Sequence, residues 1–169
     1  MVIIRAEESK DREAVREVNA SAFGRPGEAD LVDALRENAP QHVSLIAEED
    51  GRIVGHIFFS PVTVESGAGD WAAMGLAPMA ILPEFQARGV GSRLVREGLE
   101  HCHRAGHDVV FVLGHADYYP RFGFTPAKPR GIECEFPAPD ENFMVAELKP
   151  GALNGRAGMV RYRPEFRSV

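Results

Sequence analysis

The chain has 169 residues, 44% of them hydrophobic and 26% charged. That suits one packed core and is short for two, so a single domain over residues 1–169 is expected. No apolar run reaches the ~18 residues of a membrane span, and the start of the chain lacks the long apolar region of a signal peptide. The two cysteines, Cys102 and Cys134, make no disulfide framework. A cytoplasmic protein without a membrane partner is therefore expected. The net charge of −6, with no basic run, argues weakly against a nucleic-acid backbone as partner and mildly favours a cationic small molecule or peptide.

Val2 to Arg5 reads as a first strand. From Ser9, a candidate N-cap, the residues Ala14, Val15, Val18 and Ala22 recur at helical spacing. Gly24-Arg25-Pro26-Gly27 breaks that helix, and a second one carries Leu31, Val32 and Leu35 and stops before Pro40. Val43 to Glu49, the Asp50-Gly51 turn and Arg52 to Val64 form a hairpin. A turn at Gly67 to Asp70 leads to a third antiparallel strand, which ends in the stretch MGLAPMAILPEF from Met74. Pro78 interrupts that strand and cannot donate a ladder hydrogen bond, so the strand is either an edge or splayed from its neighbour.

A helix follows Gly91, with Leu94, Val95, Leu99 and Cys102 on one face, and runs out near Gly106. Asp108 to Leu113 suits a buried strand, parallel to the strand before the helix through a right-handed crossover. Ala116 to Phe122 predicts a short helix or turn. Thr125 to Asn142, with four prolines, reads as loop, and Phe143 to Leu148 and Gly158 to Tyr162 as two last strands.

The strongest chemical signal is Gln86-Ala87-Arg88-Gly89-Val90-Gly91. Glycines at a helix start let backbone N–H groups approach phosphate oxygens, and Arg88 or Arg93 can add a full charge. Leu94 stands where the Rossmann fingerprint needs a third glycine, and no Gly-Lys-Ser/Thr marks a P-loop. His101-Cys102-His103 with His107 has no second ligand cluster, so no metal site is expected. His115 and Asp117 lack the Gly-x-Ser-x-Gly elbow of a hydrolase.

Two motifs together resemble a known family. Pro83 to Leu94 is similar to the acetyl-CoA-binding motif of GNAT-superfamily N-acetyltransferases, Gln/Arg-x-x-Gly-x-Gly/Ala. Tyr118-Tyr119-Pro120-Arg121-Phe122-Gly123-Phe124 resembles that family's aromatic-Tyr-x-x-hydrophobic-Gly-Phe segment. The resemblance runs from Ile3 to about Tyr162. It implies an α/β (α+β) fold with a mixed, mostly antiparallel central sheet of about seven strands, splayed between strands 4 and 5 and flanked by about four helices.

For the site, it implies that Met79, Ala80 and Ile81 offer backbone to the pantetheine arm of acetyl-CoA. Gln86, Arg88, Gly89, Val90, Gly91, Ser92 and Arg93 would hold the pyrophosphate, and Tyr119 would protonate the departing thiolate. A small-molecule or peptide amine would be the acceptor, in a pocket shaped by the Thr125–Asn142 loop and the link between the first two helices. Oligomeric state is left open, a homodimer included. Two family features are missing: the usual Asn after the fifth strand is replaced by Leu113-Gly114-His115, and the fourth strand carries no Glu base. Candidates for the base are Glu28, His115 and His56. The alternatives are a non-catalytic module on the same fold, binding acyl-CoA or a partner protein, and a generic nucleotide binder.

Overall fold

The computed structural model describes residues 1–169. Nine strands and three α-helices are present. The strands are β1 (Val2–Ala6), β2 (Val43–Glu49), β3 (Arg52–Glu65), β4 (Trp71–Ile81), β5 (Val109–Leu113), β6 (Thr125–Pro126), β7 (Ile132–Cys134), β8 (Phe143–Glu147) and β9 (Gly158–Arg161). The helices are α1 (Arg12–Phe23), α2 (Gly27–Asn38) and α3 (Val90–Arg104).

The strands run in the order β1-β2-β3-β4-β5-β8-β6, with β9 pairing the far end of β3 and β7 pairing β9. All pairs are antiparallel except β4–β5 and β7–β9. The β4–α3–β5 crossover is thus parallel, as the apolar run before β5 predicts. The expected hairpin is present, its turn at Asp50 and Gly51 with positive φ at both. No helix is long and apolar enough to cross a membrane.

Local physics departs from the sequence reading in two places. The N-terminal cap of the first helical segment is Glu8, not Ser9: Asp11 Oδ2 accepts from the Glu8 N–H at 2.7 Å, a reciprocal capping box that leaves Ser9 inside the turn. Ala116–Phe122 forms the short turn expected there, a 3₁₀ turn at Tyr119–Phe122, and the three α-helices roughly match the about four expected. The Thr125–Asn142 stretch carries β6 and β7, two strands too short to show a period, so the sheet exceeds the seven expected strands.

Buried side chains fill both faces. Under α3, Leu94, Val95 and Cys102 pack with Ile57, Phe59, Met74 and Val112. Cys102 is therefore a core residue, its thiol pushed up to about 12 by burial. Val15, Leu31, Val32 and Leu35 of α1 and α2 close over Ile46 and Phe58. A third cluster, with Phe111, Phe143 and Tyr162, joins β5 and β8 to the C-terminal strands.

Pro78 marks where the sheet opens. β4 pairs with β5 only over Met74–Val110, Gly75–Phe111 and Leu76–Val112. Beyond Leu76 the two strands part, while β4 continues to pair with β3 as far as Ile81–Gly55. The splay anticipated from a proline in an interior strand is present, and β4 is not an edge.

Candidate active site

The backbone turns sharply between β4 and α3. Ala87 has φ 62° and Gly89 φ 82°, both left-handed, and Gly89 is the residue at which α3 begins. Glycine adopts this conformation without the cost of roughly 1–2 kcal/mol that a β-carbon imposes. The amides of Ala87 through Ser92 donate to no backbone carbonyl, and the first to do so is Arg93, which reaches Gly89 O at 3.1 Å. Six successive unpaired N–H groups at the positive end of a 15-residue helix form an anion cradle.

The two arginines of the motif part company. Arg88 is exposed, its guanidinium over the Phe85 ring at 5.2 Å. Arg93 turns back to β1 and donates to Val2 O at 2.6 Å. Gln86 donates from Nε2 to Ile81 O at 3.1 Å, tying the turn to the strand it follows.

The open edge of β4 has a definite polarity. Leu82 N–H donates to Val54 O at 2.9 Å, and the register pairs Ala80 with His56. Because strand groups alternate with period two, the N–H and C=O of Ala80 face β3. Those of Met79 and Ile81 face the side that β5 has left. An extended ligand entering the splay meets Met79 first, since Ile81 O is already engaged by Gln86.

This splay continues into a cleft of about 710 Å³. Met79, Gln86, Glu28, His115, Tyr118 and Tyr119 all line it. Tyr119 is buried, stacked edge-on against Tyr118 and Phe124 at centroid distances of 5.1 and 5.7 Å. Burial pushes its phenol up to about 12, with the neighbouring Tyr118 adding to the shift. It is therefore protonated across the whole neutral range. Tyr118, half-buried, points the other way: its hydroxyl lies 3.3 Å from Ser92 Oγ in the first turn of α3, and Arg121 stacks on its ring at 4.7 Å. The paired tyrosines thus divide, one toward the cradle and one into the cleft.

The three candidate bases occupy different surroundings. Glu28 is the second residue of α2 and takes two hydrogen bonds from Arg25, at 3.0 and 2.6 Å. That pairing, helped by a backbone bond at the helix start, holds its carboxyl below the ordinary range against the opposing effect of burial. His115 is exposed on the cleft, and its carbonyl accepts from the Tyr118 and Tyr119 amides. His56 is fully buried away from the cleft. Asn19 Nδ2 donates to its Nδ1 at 3.1 Å, and its Nε2 stands 2.9 Å from Ser44 Oγ, which passes on to Glu7 at 2.7 Å. Burial lowers it to about 3, so it stays neutral as a member of a polar core network.

Several cleft residues carried no signal in the sequence. Phe136 comes from the proline-bearing loop, and Phe23 flanks the α1–α2 connection, the two regions expected to shape the pocket. Phe166 and Val169 reach the cleft from the C-terminal 3₁₀ turn, Pro164–Ser168, and the residue after it. No motif surrounds them, and only the tertiary fold brings them there.

A mixed sheet splayed between two parallel strands, with an anion cradle at the head of the crossover helix, defines an acyltransferase class of fold. A family model for the GNAT acetyltransferase domain matches residues 3–127. The uncharacterized N-acetyltransferase YjhQ of Escherichia coli K12 is 44% identical over 156 residues, covering 88% of this chain and 86% of its own. YhbS of the same strain is 34% identical, covering 98% of both. The crystal structure of Escherichia coli YhbS with CoA superposes with a TM-score of 0.91 at 33% identity, over 98% of this chain and 92% of that one. A GNAT acetyltransferase from Brucella melitensis with acetyl-CoA gives 0.80 at 34% identity, over 98% of both. The chain belongs to the GNAT acetyltransferase family.

Proposed function

We propose that residues 1–169 form one N-acetyltransferase domain that moves an acetyl group from acetyl-CoA to a primary amine by direct transfer. One observation carries the reading: the open backbone of Met79 and the Tyr119 ring line one cleft with Gln86, and the unpaired amides of Ala87–Ser92 follow directly on Gln86 in the chain. Relatives of the same fold, at 33% and 34% identity, hold CoA and acetyl-CoA. The cradle suits a pyrophosphate, with exposed Arg88 adding charge, and the strand edge suits an amide-bearing arm. Arg93 serves the fold rather than the phosphate, since β1 holds it.

The protein's part in the chemistry is small in number of groups. The cleft aligns amine and thioester, an effect of proximity and orientation. The amine nitrogen bonds to the thioester carbon, the carbon–sulfur bond breaks, and Tyr119 gives its phenolic proton to the sulfur. General acid catalysis of this kind is worth about 10² to 10⁴-fold. An incoming ammonium first sheds one proton to water through solvent-open His115, the neutral nitrogen then attacks, and the second proton it loses leaves by the same route to water, from which Tyr119 is recharged. Glu28, held ionised by Arg25, is a poor base and suits the attraction of an incoming ammonium. The unpaired thiols of Cys102 and Cys134 fit a reducing compartment such as the cytoplasm.

Calorimetry with acetyl-CoA, followed by thiol release over an amine panel, tests the assignment. Saturable binding with amine-dependent CoA release is the expected result. Binding without release from any amine would favour a non-catalytic acyl-CoA module, and absence of binding would end the reading.

A further inference from the structure

The cleft beside Tyr119 is unlike the usual polar mouth of an enzyme for sugars or amino acids. Beyond the β4–α3–β5 unit, its wall holds the polar groups of Glu28, His115 and the tyrosine pair, and the rest of the side chains there are apolar: Phe23 from the end of α1, Leu31 from α2, Phe136 from the loop before β8, and Phe166 and Val169 from the C-terminal turn. Phe23 and Val169 are 40% and 47% exposed, so large apolar surface stands open at the rim rather than in the core. The lining contains no lysine, arginine or aspartate, and its one carboxylate is Glu28. Both Glu28 oxygens are engaged by Arg25, yet each keeps a second lone pair for another donor.

We infer that the acceptor, on the acetyl-transfer reading above, is a compact primary amine on an aryl or alkyl body that bears neither a carboxylate nor a second ammonium. Glu28, though paired with Arg25, keeps open lone pairs and is the one carboxylate side chain in the lining that can accept from an ammonium. The phenyl and aliphatic walls reward an apolar body at roughly 25 cal/mol for each Å² buried. An acceptor carboxylate would be stripped of water beside Glu28, whose one neighbouring cation, Arg25, is already engaged by it through two hydrogen bonds, and a distal ammonium would be set against the apolar side chains of Phe136 or Phe166 with no carboxylate side chain to pair it. The cleft of about 710 Å³ must also admit the acyl end of the donor, which limits the acceptor to a small molecule.

Matched pairs test this. Phenylethylamine and phenylalanine differ by one carboxylate; hexylamine and 1,6-diaminohexane differ by one ammonium. In each pair the monoamine should have the higher kcat/KM, by on the order of 10 to 100-fold. The Phe23→Asp variant, altered at an exposed position that folding tolerates, should raise KM for hexylamine roughly 10-fold while acetyl-CoA affinity, read by calorimetry, stays unchanged. Preference for phenylalanine, the diamine or a lysine peptide, with CoA release intact, overturns the acceptor class and leaves acetyl transfer standing. So does acetyl-CoA binding with no turnover of any of these amines, or a hexylamine KM indifferent to Phe23→Asp. Loss of acetyl-CoA binding in the unaltered protein overturns both readings together.

Discussion

The α-carbon of Gly114 lies against the ring of Tyr119: a β-carbon built at position 114 would stand 2.5 Å from Cε2 and 3.1 Å from Cδ2 of that ring. Gly114 directly follows β5, and its N–H is fixed on Asn142 O at 2.9 Å. The backbone there cannot retreat, so the absence of a side chain is what lets the phenol occupy the cleft. This gives the departure from the family's usual residue near this position a physical content: glycine here yields its space to the proposed acid.

Gly114→Ala should therefore displace Tyr119 rather than remove it. A shift of about 1 Å at a reacting group can cost up to about 10²-fold, and overpacking costs roughly 1–3 kcal/mol. Turnover should fall by 10-fold or more, by that reasoning, with the melting temperature lowered and acetyl-CoA affinity held within a few-fold. Steady-state kinetics beside calorimetry decides it; unchanged turnover would show that the ring position does not matter.

Tyr119→Phe removes the proton and keeps the ring. Turnover should drop by about 10² to 10⁴-fold without loss of acetyl-CoA binding. The pH dependence follows from the same burial. The group acts in its protonated form, which persists until the pH nears about 12. The unaltered enzyme should consequently show no alkaline decline attributable to Tyr119 through the working range. A falling limb in mildly alkaline solution that vanishes in the phenylalanine variant would contradict that environment.

Much of this architecture was legible in the chain. The hairpin and the crossover followed from turn residues and apolar periods. Pro78 alone left an edge strand or a splay open, and two glycines at a helix start left an ordinary turn open; the family resemblance chose the splay and the cradle. What stayed hidden depended on register and packing. That Met79 and not Ala80 turns its backbone to the open edge depends on which carbonyl Leu82 meets on β3. That Arg93 donates to Val2 O depends on β1 lying within reach. The apolar wall from Phe166 and Val169 joins residues more than a hundred positions from Phe23 and Leu31, and no local pattern records such a meeting.

Gly89→Glu addresses the cradle. Position 89 has open space around a β-carbon, so no clash is involved. The penalties are a φ of 82° forced on a side-chain-bearing residue and a carboxylate set beside the amides meant for phosphate. Acetyl-CoA affinity should fall by 100-fold or more, on the order of 3 kcal/mol, with melting temperature reduced only modestly. Gly89→Ala, which carries the strain without the charge, should lie between. Normal calorimetric affinity in the glutamate variant would remove this turn from the donor site.

His56 gives a prediction on stability instead of catalysis. Its ring is enclosed by Asn19 and Ser44, with Glu7 and Arg36 beyond, and the network places the proton on Nε2. Desolvation, chiefly, and the nearby Arg36 charge, secondarily, depress it from 6.5 to about 3. In the unfolded chain the imidazole binds its proton near 6.5, while the folded form resists until about 3, so between those values the unfolded state holds the extra proton. Stability must then fall as the pH is lowered through that window, by up to about 1.4 kcal/mol per pH unit for this one group. The depressed carboxyls of Asp11 and Glu28 add their losses lower down, as the pH falls through the ordinary carboxylate range and beneath it. Urea unfolding at about pH 7 and about pH 5 should show the decline in the unaltered protein. His56→Gln, neutral at both values, should be less stable at pH 7 but lose much less on acidification. Parallel losses in the two proteins would mean that His56 is not the group whose protonation the fold opposes.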